Sequence, residues 1–161
     1  MKKTLIVLFL AALAAVLAAQ VAGGKLLYVY DEVNKQSTPY IGYFKDALAA
    51  QGIGFDEATA SQASSIDLSG YSAVLVHGMV MAFNMKSPVR DWLKAEKRLE
   101  GKKVFLFVTA NRWFLEKLTA QLGELLKKDG AIQVDAVSSA TKAMDAAAKD
   151  AAVRGLVAKL K

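Results

Sequence analysis

Two short, β-rich apolar runs, residues 73–76 (AVLV) and 104–108 (VFLFV), flank a segment with helical markings, and this pairing restricts the chain to few folds. Turn signals precede each run, Asp67-Leu-Ser-Gly70 before the first and Gly101-Lys-Lys before the second. Neither run alternates with polar residues, so both read as strands covered on both faces. Between them Ser87-Pro88 supplies an N-cap and a first-turn proline whose φ is already helical. Val89, Trp92, Ala95 and Leu99, with Leu93 beside them, form one apolar stripe at helical spacing. Strand, crossover helix, strand is a parallel βαβ unit, which is right-handed in nearly all cases.

The rest of the chain extends this unit. Residues 25–30 (KLLYVY) form a first strand that runs into the polar loop 31–36 (DEVNKQ). Ser37, Thr38 and Pro39 open a helix with Ile41, Phe44, Ala47 and Leu48 on one face, stopped by Gly52. A short strand follows around 53–55, and the small, polar residues 58–66 predict a brief helix or an irregular crossover. After the second run, Phe114, Leu118, Leu122, Leu125 and Leu126 repeat at helical spacing, ending in a basic turn, Lys127 and Lys128, and a stop at Gly130. Residues 131–137 (AIQVDAV) make a fifth strand, and Ser138 or Ser139 caps an alanine-rich last helix running to about Lys159. The pattern predicts an α/β domain, three layers with a doubly wound five-stranded parallel sheet, whose ligand crevice lies at the carboxyl ends of the strands where the winding reverses.

The 161 residues fit one domain with one such sheet. At the start, Met1-Lys2-Lys3 precedes an uncharged stretch, residues 4–24, rich in Leu, Ala and Val, with small residues at Ala18, Ala19 and Ala22. That is the layout of a secretory signal over residues 1–22, with the domain at 23–161, a periplasmic or secreted destination, and no membrane partner for the mature domain if the signal is cleaved. The stretch also approaches the roughly 20 residues that span a bilayer, so an uncleaved anchor is the other reading. Removing Lys2 and Lys3 takes the formal charge from +6 to +4, and the basic residues are spread over helices, which is no nucleic-acid footprint. With no cysteine, a disulfide frame, a thiolate nucleophile and a Cys-ligated metal are excluded.

The segments DLSGYSAVLV, SPVRDWL and EGKKVFLFVT resemble, in order and spacing, the third strand, following helix and fourth strand of the flavodoxins. The resemblance extends more weakly over residues 25–160 and implies a flavodoxin-like sheet in the order 2-1-3-4-5. It also implies FMN as cofactor, a role in electron transfer or as a flavin-dependent reductase, and a redox partner protein. In that family the loop after the first strand, typically T/S-x-T-G-x-T, wraps the FMN phosphate at a helix start. Matching without a gap places Glu32, Asn34, Lys35, Gln36 and Ser37 on this loop, with Thr38 next. Ser37 and Thr38 keep the hydroxyl, Lys35 replaces the glycine and supplies a point charge, and Glu32 brings a negative charge. Flavin-flanking aromatic residues of the later loops correspond to Phe83 and Trp113. His77 and Gly78 at the end of the third strand, and Thr109, Ala110 and Asn111 at the end of the fourth, complete the implied cofactor site. The departures in the phosphate loop favour the alternative, a flavin-free binding or scaffold domain that kept the fold.

Three other constellations carry chemistry. His77 is the sole histidine, placed for proton transfer but without a partner fixed by spacing, so a hydrogen-bonded structural role is the simpler reading. His77, Met79, Met81 and Met85 form H-x-M-x-M-x3-M, a soft donor set for Cu(I), but methionines filling core gaps and lining a loop are the simpler reading. Residues 134–141 (VDAVSSAT) resemble the D-x-x-S-G-A-T-x-[ST] signature of exported domains with covalent FMN, but Ser139 replaces the glycine and Ala143 the acceptor hydroxyl. No P-loop, HExxH, GxSxG or carboxylate pair is present, and neither a metal site nor a catalytic residue is assigned.

Overall fold

The computed structural model describes residues 24–80, 87–96 and 98–160. Five strands, β1 (Lys25–Tyr30), β2 (Phe55–Thr59), β3 (Tyr71–Val80), β4 (Lys103–Ala110) and β5 (Ile132–Ala140), form one sheet in the order β2-β1-β3-β4-β5. Every pairing is parallel, as the crossovers require. The crossovers carry α1 (Ser37–Ala50), α2 (Ala60–Ala63), α3 (Pro88–Ala95) and α4 (Leu115–Lys128), and α5 (Ala146–Val157) follows β5.

The period-two alternation of the strands divides the core into two layers. Leu27, Val29, Val74, Val76, Val104, Leu106 and Val108 point to one face, beneath Val89, Trp92 and Leu93 of α3 and Leu118, Leu122 and Leu126 of α4. Leu26, Tyr28, Leu75, Phe105 and Phe107 point to the other, beneath Tyr40, Phe44 and Leu48 of α1 and Val153 and Leu156 of α5. Burying a side chain such as Phe44 is worth roughly 1.5–3 kcal/mol.

Local signals set most boundaries. Ser87 caps α3 by accepting from the Arg90 N–H, with Pro88 in the first turn. Gly52, Gly101 and Gly130 adopt φ near +70° (67°, 70° and 70°), where a side chain would be strained, and they end α1, open β4 and end α4.

Some boundaries differ from the pattern. β3 runs four residues and β4 two residues past their apolar runs because both remain hydrogen-bonded to neighbours in mid-sheet up to Val80 and Ala110. β2 begins at Phe55 rather than 53, and its partner β1 fixes that register. Leu99 lies beyond α3, buried as part of the same core layer. The last helix is a correction: Ser138 and Ser139 belong to β5, paired with Val108 and Thr109, and the cap is Asp145, whose carboxylate accepts from the Ala148 N–H.

Candidate functional site

The winding reverses between β1 and β3, so the switch point at which open α/β sheets take ligands lies above their carboxyl ends. Among the described residues, the loop after β1 and the turn after β4 stand at this end.

Asp31 immediately follows β1 and is only 4% exposed. One carboxylate oxygen accepts from the Met79 N–H near the end of β3, and the other from the Val89 N–H in the first turn of α3 at 2.6 Å. The Ser87 hydroxyl, also buried, donates to the same carboxylate at 3.1 Å. A single side chain therefore joins three elements and supplies the negative charge that a helix N-terminus favours. Burial raises its carboxyl to about 6, against the lowering effect of the Val89, Met79 and Ser87 hydrogen bonds, with Glu32 adding a smaller upward push.

The loop that follows closes on itself. The Gln36 and Ser37 N–H groups both donate to Asn34 Oδ1, at 2.9 and 3.0 Å. The buried Ser37 hydroxyl donates to the Glu32 carbonyl at 2.8 Å and accepts from the Asn34 N–H at 2.8 Å. The Thr38 hydroxyl donates to the Asn34 carbonyl at 2.7 Å. Ser37 is thus the first residue of α1 rather than its cap. Lys35 is exposed and free to point outward as a charge.

Beneath the crevice, on the α1 side, lies a belt of buried polar side chains. His77 is 1% exposed; its Nδ1 meets the Tyr28 hydroxyl at 2.9 Å and its Nε2 meets the Thr109 hydroxyl at 3.1 Å. Burial lowers the imidazole to about 3, so it is neutral, donating through one nitrogen and accepting through the other. Phe44, Phe107 and Tyr40 pack around the ring at centroid distances of 5.8, 5.3 and 5.8 Å. The Tyr40 hydroxyl pairs with Ser139 at 2.6 Å. His77 is therefore a satisfied structural histidine, and both its nitrogens are already engaged.

The remaining sequence candidates separate. Gly78 faces α4: a Cβ there would lie 2.5 Å from Leu122 Cδ1, so the glycine allows close helix packing. Ala110 is buried in the same layer. Asn111 precedes a single 3₁₀ turn (Arg112–Phe114), on which Trp113 projects with 87% of its surface exposed. Val33, across the crevice in the first loop, is 62% exposed. Two large apolar side chains thus stand in solvent on crevice-end loops. Phe83, Met81 and Met85 lie outside the described residues, as does the segment 1–22. Among the described residues there is no group of three or more His, Cys, Asp or Glu side chains able to hold a metal. Sequence reasoning missed Asp31, although a carboxylate directly after a buried strand and a Ser-Pro helix start were both visible.

Whether FMN suits these residues can be tested on the donors. The Gln36 and Ser37 amides at the start of a fourteen-residue helix converge on one oxygen, that of a half-buried side chain, Asn34. A phosphate oxygen exchanged for Asn34 Oδ1 would keep both bonds, with Thr38 and Lys35 adjacent, so the donor chemistry fits. Trp113 offers an uncovered ring face for an isoalloxazine.

No family model matches the chain, and no curated protein matches it. Solved structures do. Oxidised flavodoxin 2 from Bacillus cereus superposes with a TM-score of 0.63 at 16% identity, over 84% of this chain and 97% of that one. The two-electron reduced flavodoxin of Megasphaera elsdenii gives 0.56 at 14% identity, over 83% and 98%. A flavo di-iron protein from Thermotoga maritima gives 0.63 at 18%, over 86% of this chain but 36% of its own. With the five-stranded parallel sheet in the order 2-1-3-4-5 and helices on both faces, the chain has the flavodoxin-like fold.

Proposed function

We propose that the domain binds FMN in the crevice above β1 and β3 and serves as an exported electron carrier, or as the flavin-bearing partner of a reductase. The observation that carries this reading is Trp113: a tryptophan 87% exposed on a crevice loop of a fold whose other large aromatic side chains are mostly packed away. The reading is supported by the similar structures, flavodoxins described in an oxidised and in a two-electron reduced state. A bound flavin would supply the redox chemistry, accepting and releasing electrons at its ring. The chain's own residues would do the rest. Trp113 would flank the ring and shield one face from water, Gln36, Ser37 and Thr38 would hold the phosphate, and Lys35 would offset its charge. His77, with both nitrogens engaged, holds β1, β3 and β4 in register beneath the site. Purified protein should be yellow, or should take up FMN with quenched flavin fluorescence. Colourless protein with no uptake at micromolar FMN would sink the proposal.

A second reading is favoured by Asn34. Because its side chain already satisfies the two helix-start amides, the loop is complete without a phosphate, as in a binding or scaffold domain that kept the fold and lost the flavin. The same titration decides between them.

A further inference from the structure

The end of the sheet opposite the crevice carries a different surface. Because all five strands are parallel, their amino ends lie together, and the helices that cross back over the sheet end there. Gly101 N–H donates to the Gly130 carbonyl at 2.9 Å and Ile132 N–H to the Lys102 carbonyl at 2.9 Å, which pins the end of α4 against the starts of β4 and β5. Four lysines meet at this junction: Lys102 and Lys103 entering β4, and Lys127 and Lys128 in the last turn of α4. Glu100 and Asp129 stand among them, leaving the cluster net positive. Lys103, Lys127 and Lys128 are exposed. Beside them Ile132 and Val134 expose 54% and 45% of their surface on the edge strand β5. Exposed β-branched side chains edged by lysines form a surface with apolar contacts at its centre and cations at its rim.

The chain outside the described residues joins at this same end. Gly24, whose carbonyl accepts from the Ser72 hydroxyl at 2.6 Å, leads into β1, and the residues before it are the uncharged, Leu- and Ala-rich stretch 4–24. β1 and β4 are separated by β3 alone, so the junction of that stretch lies about 10 Å across the sheet from Lys103. We propose that this end of the domain rests on an anionic phospholipid surface, with the exposed Lys103, Lys127 and Lys128 facing headgroup phosphates, Lys102 held behind them by its bond to the Tyr71 carbonyl, and Ile132 and Val134 reaching the interface. A domain held this way turns its crevice toward the aqueous side. The inference does not depend on whether a flavin is bound.

The test uses the full chain, wild type and the double variant Lys127→Ala/Lys128→Ala, whose changes lie on an exposed helix end. Partitioning is measured onto vesicles of phosphatidylcholine alone and of phosphatidylcholine containing one-third phosphatidylglycerol. The ratio of the two partition coefficients cancels the pull of the apolar stretch. The wild-type ratio should be well above one and collapse as salt is raised, and the double variant should lower it about twenty-five-fold, a factor of about five per lysine. A wild-type ratio near one, or the same ratio in the variant, would overturn the proposal. So would a lipid-free wild-type dimer that Ile132→Asp dissociates while the partition ratio stays unmoved, since the β5 edge would then be the seat of a second copy.

Discussion

Asp31 and His77 titrate in opposite senses, and their sum shapes the pH dependence of stability. The Asp31 carboxyl stands at about 6 in the fold against 3.8 unperturbed, so the native state holds its proton more tightly than the unfolded chain does. Its contribution is fully present below 3.8 and is lost as pH rises through 6. His77 stands at about 3 against 6.5, so the unfolded chain takes up a proton that the fold refuses. Its contribution is present above 6.5 and is lost as pH falls toward 3. Each unit of difference is worth about 1.4 kcal/mol, so between pH 7 and 4.5 His77 removes about 2–3 kcal/mol and Asp31 restores about 2. The wild type should therefore change little across that range from these two groups. Asp31→Asn should lose about 2–3 kcal/mol on acidification, and His77→Gln should gain about 2. Urea unfolding followed by far-UV circular dichroism at pH 7 and 4.5 reads these slopes, whatever each substitution does to absolute stability. An Asp31→Asn profile parallel to that of the wild type would refute the assignment of a raised carboxyl to this position.

Three further outcomes follow from single contacts. Gly78→Ala would drive a Cβ to 2.5 Å from Leu122 Cδ1 and should cost about 1–3 kcal/mol, with Leu122→Ala partly compensating in a double-mutant cycle of thermal or urea unfolding. Ser87→Ala removes both the cap on α3 and a hydroxyl donated to buried Asp31, so the loss in urea unfolding should exceed the roughly 1 kcal/mol of an ordinary cap. Trp113→Ala should leave unfolding within about 0.5 kcal/mol of wild type, as for other exposed sites, while weakening FMN uptake in a fluorescence titration; a large stability loss would mean the ring is packed rather than presented.

The fold was legible because its signals are local or periodic. Uninterrupted apolar runs gave β3 and β4, the Ser-Pro pair gave α3, and Gly52 and Gly130 gave the ends of α1 and α4. The polar network was not legible, because it depends on register between strands distant in sequence. His77 bonds Tyr28 and Thr109, 49 and 32 residues away, and Asp31 reaches Val89 over 58. The misplaced cap on α5 has the same origin: Ser138 and Ser139 look like a helix start, but pairing with β4 extends β5 over both, and Ser139 spends its hydroxyl on Tyr40.

The crevice divides into a part the fold must keep and a part it can exchange. Asp31, Ser87, His77, Thr109 and Ser139 are buried and bonded across elements, so any one of them removed leaves a partner unsatisfied. Asn34, Lys35, Thr38 and Trp113 are at least partly exposed, and where they bond they do so within their own loop. A ligand in this crevice therefore competes with Asn34 for two amides, while the belt beneath stays as it is. Its affinity is set by the difference between two acceptors for the same donors: a phosphate carries more charge than an amide oxygen and so makes the stronger bonds, but it must overcome the nearby Glu32 carboxylate. Glu32→Gln should for that reason tighten FMN binding with little change in the unfolding midpoint, because Glu32 is exposed and its bond to the Ser37 hydroxyl is made by its backbone carbonyl, which the substitution keeps.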